Sequence, residues 1–389
     1  MRLLWLAPVH YDPSQDVHPA PWISSLARKL VDERGLSLTI LNYEPRLPEE
    51  EISFEKEGIR YVFLKTPVPK MDHIGFFRRR ISILRAYMLK HQGEFDLIHV
   101  HGSEHQYEAA VVDVDLPHVL SMQGVIGECL KRLKDRWNYT HLSWWMSSQY
   151  ERRYLPRLSD FICRTTFDSG FVNEVNPTAM IHENWEMIRP TFFQDLGSDS
   201  PDCLMYMGGT HPIKGIEHLL PAIDMVRKKH DIRLKILGKV DMSKIEEIFS
   251  EKQFAYLGMS DIDFLGFQDV DGVVNAMNES FAMVHTSLID NSPNSVCEAQ
   301  VAGLPVVSTN VGGISSLITH GETGLLSMLQ PADIARQIFR LIDEPGLHAK
   351  LKAESRRVAR SRHNAQVIVD QTIAIYEAIL SRSERKLAG

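Results

Sequence analysis

The sequence predicts an α/β protein of two doubly wound parallel-sheet domains facing across a cleft. Three observations carry that expectation. Short apolar runs alternate with helical patterns, the alternation breaks once and restarts, and the 389-residue length exceeds what one hydrophobic core usually supports. A hydrophobic fraction of 44% beside 24% charged residues is that of an ordinary soluble globular chain, so disorder is expected only at the ends. The formal net charge of −7 argues against a nucleic-acid partner held by bulk charge.

In chain order, the first half offers strands at Leu3–Ala7, Leu38–Leu41, Tyr61–Leu64, Leu97–Val100, His118–Met122 and Phe161–Cys163. Between them, Trp22–Leu30 and Phe76–Leu89 carry apolar residues at helical spacing. The run TFFQDLGSDSPD, Thr191–Asp202, is rich in turn and acidic residues and reads as a linker between a first domain, 1–190, and a second, 203–365. The second half restarts the pattern at Cys203–Met207, Leu234–Leu237, Ile262–Leu265, Phe281–Val284 and Pro305–Ser308. Residues 366–389 have apolar positions at helical spacing, as in a helix that packs back across the first domain. Open α/β sheets bind ligands at the carboxyl ends of their strands, so the site is expected there.

The N-terminal MRLLWLAPV has one positive charge and a short apolar run, which reads as a buried first strand rather than a signal peptide. No window approaches a membrane span. Cys129, Cys163, Cys203 and Cys297 lack CxxC spacing and histidine partners arranged as metal ligands, which fits a reduced, cytoplasmic setting.

The most informative segment is DNSPNSVCE, residues 290–298, followed by AQVAGLPVVST. Ser292 suits an N-cap, Pro293 the first helical position and Gly303 the left-handed residue past the helix end. A helix start offers unpaired amides and partial positive charge, so the backbone at Asn294 and Ser295 can hold a phosphate or diphosphate. Glu298, about a turn deeper, suits a sugar diol instead, since its two oxygens can accept two hydroxyl hydrogens. Together the amides and the acids Asp290 and Glu298 suggest a nucleotide sugar. The plainer alternative is a capped surface helix with Asp290 as loop filler and Glu298 solvated.

These motifs resemble the retaining family 4 glycosyltransferases of the GT-B fold, and more narrowly a bacterial polysaccharide-building branch. The likeness covers nearly the whole chain and is strongest in the second half. Members carry two acids with seven residues between them, the spacing of Asp290 and Glu298. The resemblance implies that Glu298 holds the nucleotide ribose. It implies that Asp290, where relatives usually have Glu, touches the donor sugar with the neighbouring loop at Asn291. The second match is MGGTHPIKGIEHLLPAI, a strand end, the Gly208–Gly209 turn, then Lys214 and Gly215 opening a helix. The family uses this lysine on the donor diphosphate. An ammonium at a helix start adds to the dipole and stabilises charge on a departing diphosphate, with a Coulomb energy on the order of 4 kcal/mol at about 4 Å and an effective dielectric near 20. Relatives often have arginine where this chain has Gly209.

A third match, IDFLGFQDVDGVVNAMNESFAMVHTS, implies that Gly266 and Phe267 lie against the nucleotide base. The glycines of VGGISSLITHGETGLL read as structural. In the first half, HPAP stands ahead of Trp22 where many relatives have a glycine-rich loop, and proline has no amide to donate. Gln123 stands where many relatives have a histidine near the donor sugar, which suits a mechanism without a histidine base. DLIHVHGSEHQY supplies His101 as the histidine expected to line the cleft. Arg164, Asp168, Glu186 and Arg189 also resemble residues of that branch, Arg164 being a candidate substitute for the missing phosphate arginine or a structural ion-pair partner. FFRRRISILRAYMLK, Phe76–Lys90, reads either as a sheet-packing helix with a basic outer face or as an interfacial helix at an anionic membrane.

The resemblance therefore implies a UDP- or GDP-sugar donor, a glycan or lipid-linked saccharide acceptor, no required metal or other cofactor, and a cytoplasmic enzyme with peripheral membrane contact as one reading. Lys214, Asp290, Gln123 and His101 are the catalytic candidates. A nonhydrolysing sugar-nucleotide epimerase and a catalytically degenerate binding partner are the rival expectations.

Overall fold

In the computed structural model, which describes residues 1–11, 21–134 and 138–388, two sheets account for the strands. The chain divides into two units: Met1–Met187 joined by the chain from Asn364 onward, and Ile188–His363.

The first unit holds β1 (Arg2–Leu6), β2 (Ser37–Tyr43), β3 (Glu51–Lys56), β4 (Ile59–Leu64), β5 (Leu97–His101), β6 (His118–Ser121), β7 (Asp160–Cys163) and β8 (Met180–Glu183). Their spatial order is β3-β4-β2-β1-β5-β6-β7-β8. All the pairings are parallel except β3 with β4. Helices cover parallel sheets on both faces, which is why β1 reads as an unbroken apolar run: Leu3, Leu4, Trp5 and Leu6 are all fully buried. β3 differs for an equally physical reason. Its alternating half-buried and exposed residues suit an edge strand, and Glu57 and Gly58, both at positive φ, turn it back onto β4.

The last helix, Ala365–Ala388, belongs to this first unit. It buries Ile368, Val369, Tyr376 and Ile379 in one cluster with Leu3 and Trp5. The Tyr376 hydroxyl lies 2.6 Å from His99 Nδ1, and Asn184 Nδ2 donates to Thr372 Oγ1 at 2.9 Å.

The second unit holds β9 (Cys203–Met207), β10 (Arg233–Leu237), β11 (Ile262–Gly266), β12 (Ala282–His285), β13 (Val306–Thr309) and β14 (Leu325–Ser327), in the order β11-β10-β9-β12-β13-β14. All pairings are parallel. The order reverses between β9 and β12, so the loops leaving these two neighbours run to opposite sides and open a crevice at the sheet's carboxyl end.

One boundary needs correction. Thr191–Asp202 is not a free linker, because the crossover falls at Met187 and Ile188 and the following stretch packs on the second unit. Phe192 and Leu196 are buried there. The Leu196 amide donates to the Ala302 carbonyl at 3.0 Å and the Ser198 amide to Ser280 at 2.8 Å. Two apolar side chains among the turn residues are enough to dock the segment.

Candidate functional site

The loop after β9 and the loop after β12 carry the second unit's chemistry. Lys214 closes the first loop, with Gly215 at φ +72° as N-cap of the helix Ile216–Arg227. A Cβ at Gly215 would stand 2.0 Å from the Thr286 carbonyl oxygen, so glycine permits the close docking of this turn on the end of β12. The Tyr206 and Thr286 hydroxyls donate to the Lys214 carbonyl at 3.0 and 3.1 Å, fixing the lysine's backbone.

This docking brings together two residues 76 apart in sequence: Lys214 Nζ donates to Asp290 Oδ2 at 2.5 Å. The same oxygen accepts from Ser287 Oγ at 3.1 Å and lies 3.2 Å from His285 Nε2. The other ring nitrogen of His285 lies 3.1 Å from Ser308 Oγ. Burial alone would raise the Asp290 carboxyl's pKa, but the charge of Lys214 and the hydrogen bond from His285 outweigh it and hold the group well below the usual carboxylate range. Burial moves His285 the other way, down from its ordinary value, with Asp290 opposing. The Asp290 carbonyl accepts the Gly313 amide at 3.0 Å. At Gly312, φ +54°, a Cβ would be 1.9 Å from that same carbonyl oxygen, which gives the glycine a structural role beside the site.

The helix after Asp290 runs Asn294–Ala302 with Gly303 at φ +81° as its C-cap. Its N-cap is Pro293, one residue later than Ser292, and no side chain caps it. Proline's fixed φ serves at the half-helical position as well as inside the first turn, while the Ser292 hydroxyl lies 3.8 Å from Cys297 Sγ. The Val296 and Cys297 amides already donate to the Pro293 carbonyl. Asn294 and Ser295 occupy the first two helical positions, whose amides have no partner within a helix. Asn291 is buried in the preceding loop.

Glu298 is buried rather than solvated, and Arg189 Nη2 donates to its Oε1 at 2.8 Å. Burial raises the carboxyl's pKa and Arg189 pulls against the rise. The guanidinium also stands 4.9 Å over the Phe192 ring. Arg189 and His285 are thus the two site residues whose roles the sequence did not reveal. The signal for His285 was a histidine ending a strand five residues before the acid.

The Gly208–Gly209 turn is spent inside the fold. Both amides donate to the Leu237 carbonyl, at 3.2 and 2.9 Å. Gly209 has φ +51°, and a Cβ there would lie 2.0 Å from the Lys239 carbonyl oxygen. An arginine at this position would need a different loop path. Further along the sheet edge, the Gly266 carbonyl accepts the Gly238 amide at 2.8 Å. Phe267 is 82% exposed, so it is no core residue.

In the first unit, His101 ends β5, beside β1 where that sheet's order reverses. It is buried, with its ring 4.0 Å from His99 and 4.5 Å from Trp5. Burial drives its pKa well below the ordinary histidine value, and the charges of His99 and Arg164 push the same way, so the ring is neutral. His101, Arg164 and Glu186 share the lining of a cavity of about 30 Å³. Arg164 is a structural ion-pair partner: its Nη2 lies 2.9 Å from Glu186 Oε1, both side chains are buried, and Nη1 donates to the Met122 carbonyl. With its amide oriented to suit, Gln123 donates to Glu186 Oε1 at 2.9 Å and accepts from Arg164 Nη2 at 2.8 Å. Asp168 forms a capping box with Thr165 at the start of the helix Thr166–Val175.

The loop after Gln123 is held by two further acids. Glu104 accepts the Gly124 amide at 2.6 Å, and the Glu151 carboxylate accepts from Ile126 and Gly127 at 2.9 and 2.8 Å. Burial lifts the Glu151 pKa to about 7. The HPAP stretch singled out in the sequence falls at residues 18–21, of which 18–20 lie outside the described residues.

Residues 201–344 match the family model described as Glycosyl transferases group 1. An uncharacterized glycosyltransferase of Methanocaldococcus jannaschii is 24% identical over 311 residues, 75% of this chain and 77% of its own. Several other curated relatives align over less than half of their own length. Among solved structures, sucrose-phosphate synthase from Thermosynechococcus elongatus superposes with a TM-score of 0.79 at 16% identity, covering 98% of this chain and 100% of its own. Anabaena HepE, in complex with UDP and glucose, does so with a TM-score of 0.71 at 14% identity, covering 97% and 100%. The second unit therefore contains the stretch similar to Glycosyl transferases group 1, on a chain whose two Rossmann-like domains have the GT-B fold of the solved structures it resembles.

Proposed function

We propose that the protein transfers a sugar, with retained anomeric configuration, from a UDP- or GDP-sugar to a hydroxyl of a glycan or lipid-linked saccharide. The observation that carries this reading is the meeting of Lys214, Asp290 and the N-terminus of the helix Asn294–Ala302 at the point where the second sheet reverses its order. An ammonium and two helix-start amides suit a diphosphate, and a carboxylate beside them suits a sugar hydroxyl. The UDP and glucose bound by the Anabaena neighbour support the donor class.

In this reading the bond from the anomeric carbon to the diphosphate oxygen breaks as the acceptor oxygen attacks from the same face. The acceptor's proton passes to the departing phosphate oxygen. Lys214 and the amides of Asn294 and Ser295 stabilise the negative charge that builds on the leaving group, where preorganised donors lower the barrier most. Asp290, with Oδ2 fixed by three neighbours, orients the donor sugar. Glu298 has Oε1 committed to Arg189, so Oε2 is the atom assigned to a ribose hydroxyl. This revises the expectation that both oxygens serve the diol.

Because Lys214 and backbone dipoles neutralise the phosphates, transfer should need no divalent metal. Incubating the protein with a UDP- or GDP-sugar and an acceptor in EDTA should release the nucleoside diphosphate and give a retained linkage. Complete dependence on added metal, or an inverted product, would contradict the reading.

A further inference from the structure

One surface of the first unit is unlike the rest. The short helix Pro69–Ile74 lies against the start of the helix Tyr139–Tyr154: His73 Nε2 is 2.9 Å from Ser143 Oγ, and the Tyr139 hydroxyl is 3.0 Å from His73 Nδ1. Around this contact Met71, Ile74, Phe76, Tyr139, Leu142 and Trp145 are each 43–66% exposed, a concentration of large apolar side chains that soluble surfaces seldom carry. The backbone contributes to it. Phe76 and Phe77 are both left-handed, φ +50° and +57°, a conformation costly for aromatic residues. The outcome of that pair is one ring packed in the core, Phe77, and one held out, Phe76. The Tyr150 hydroxyl donates to the Phe76 carbonyl and holds the turn.

Within the two segments that form this face, the exposed charge has a single sign, and Glu44 lies beside Val68 and Pro69 at its margin. In residues 68–90 and 138–154 the acids are Asp72 and Glu151, and both are buried. The exposed charged side chains there are all cationic, Lys70, Arg78 and Arg79 nearest the apolar residues, in a chain whose net charge is −7. Of the three arginines that begin the helix Arg78–His91, Arg80 turns inward to Asp72 at 3.3 Å and to Gln106 and Tyr43. The other two remain outside.

Exposed aromatic and aliphatic side chains rimmed by cations with no ion-pair partner among the described residues match the interface of an anionic bilayer, where tryptophan and tyrosine settle at headgroup depth and lysine or arginine meets lipid phosphate. We infer that this face docks the protein peripherally on an anionic phospholipid surface. A protein partner would satisfy the apolar residues but gives no reason for the cationic rim.

The test is partition of the full chain onto phosphatidylcholine vesicles with and without phosphatidylglycerol, measured by flotation at low and raised salt. Binding is expected only with phosphatidylglycerol, and weaker at raised salt. Arg78→Glu with Arg79→Glu, and separately Ile74→Ser with Phe76→Asn, should each lower partition at least about tenfold. Asparagine tolerates the left-handed backbone, so the second pair removes apolar surface without added strain. Tyr256→Ser, at an exposed aromatic of the second unit, should leave partition unchanged. Unchanged thermal midpoints establish that the variants are folded. Equal partition onto neutral vesicles, no partition at all, or unaltered binding by both folded double variants would overturn the inference. So would lipid-independent self-association abolished by the same substitutions, which would make the face a contact between copies.

Discussion

Replacing Lys214 by alanine is expected to lower turnover by about 100-fold or more while leaving the fold intact, an effect of at least about 2.7 kcal/mol on the barrier. The expectation follows from what the ammonium touches. It is half-buried and held 2.5 Å from Asp290, close to the start of the helix Asn294–Ala302, so it is a fixed charge that need not reorganise when the leaving diphosphate gains charge. Its loss has a second consequence. Asp290 would keep the contacts of His285 and Ser287 but lose the main influence that overcomes burial, so its pKa would climb from its depressed value. A rapid-quench measurement of the transfer step over a pH series, on a variant of unchanged thermal midpoint, checks both. Near-wild-type turnover would remove Lys214 from the chemistry.

The second large effect is on binding. Glu298→Ala should raise the dissociation constant for the nucleoside diphosphate by about 10- to 100-fold, since hydrogen bonds to a charged group contribute about 1.5–3 kcal/mol. Titration calorimetry distinguishes this from the lysine's role. The nucleoside without phosphates should lose affinity in Glu298→Ala and keep it in Lys214→Ala, because one residue is assigned to the ribose and the other to the phosphates. The pairing with Arg189 complicates the alanine variant, which leaves a partly buried guanidinium without its carboxylate. Glu298→Gln retains the volume and an acceptor oxygen and should show the smaller loss. Unchanged nucleotide affinity in a folded Glu298→Ala protein would reject ribose recognition.

Much of the architecture was legible because parallel strands buried on both faces are written as short apolar runs, and those runs reappear as β1, β2, β4 to β7 and β9 to β13. The exceptions have local causes. β3 is an antiparallel edge strand of half-polar EISFEK, β8 is the far edge strand, and β14 has only three residues. Thr191–Asp202 looked like a linker because turn residues dominate it, yet Phe192 and Leu196 anchor it.

In the site, the sequence showed which residue types were available but not which contacts they would make. Lys214 and Asp290 stood out separately, and no spacing rule joins residues on different strands of a sheet. Only the β9–β12 pairing does so, by placing their following loops side by side. Arg189 was named by resemblance but without a role, since its partner lies 109 positions on. Gly209 read as a lost arginine, whereas its positive φ and its closeness to Lys239 make it a requirement of the loop's path. His101, singled out as a histidine at a strand end, is so deeply buried beside His99 that it is neutral, a feature of packing that residue identity does not carry.

The most direct test of a nucleotide-sugar site in the second unit is a thermal-shift screen of the purified protein against UDP, GDP, ADP and their common sugar conjugates. Stabilisation by the UDP or the GDP series is predicted, growing with concentration as binding to the folded state requires and reaching about 2.7 kcal/mol at a hundred times the dissociation constant. Absence of a shift with every nucleotide and nucleotide sugar at millimolar concentration would contradict it.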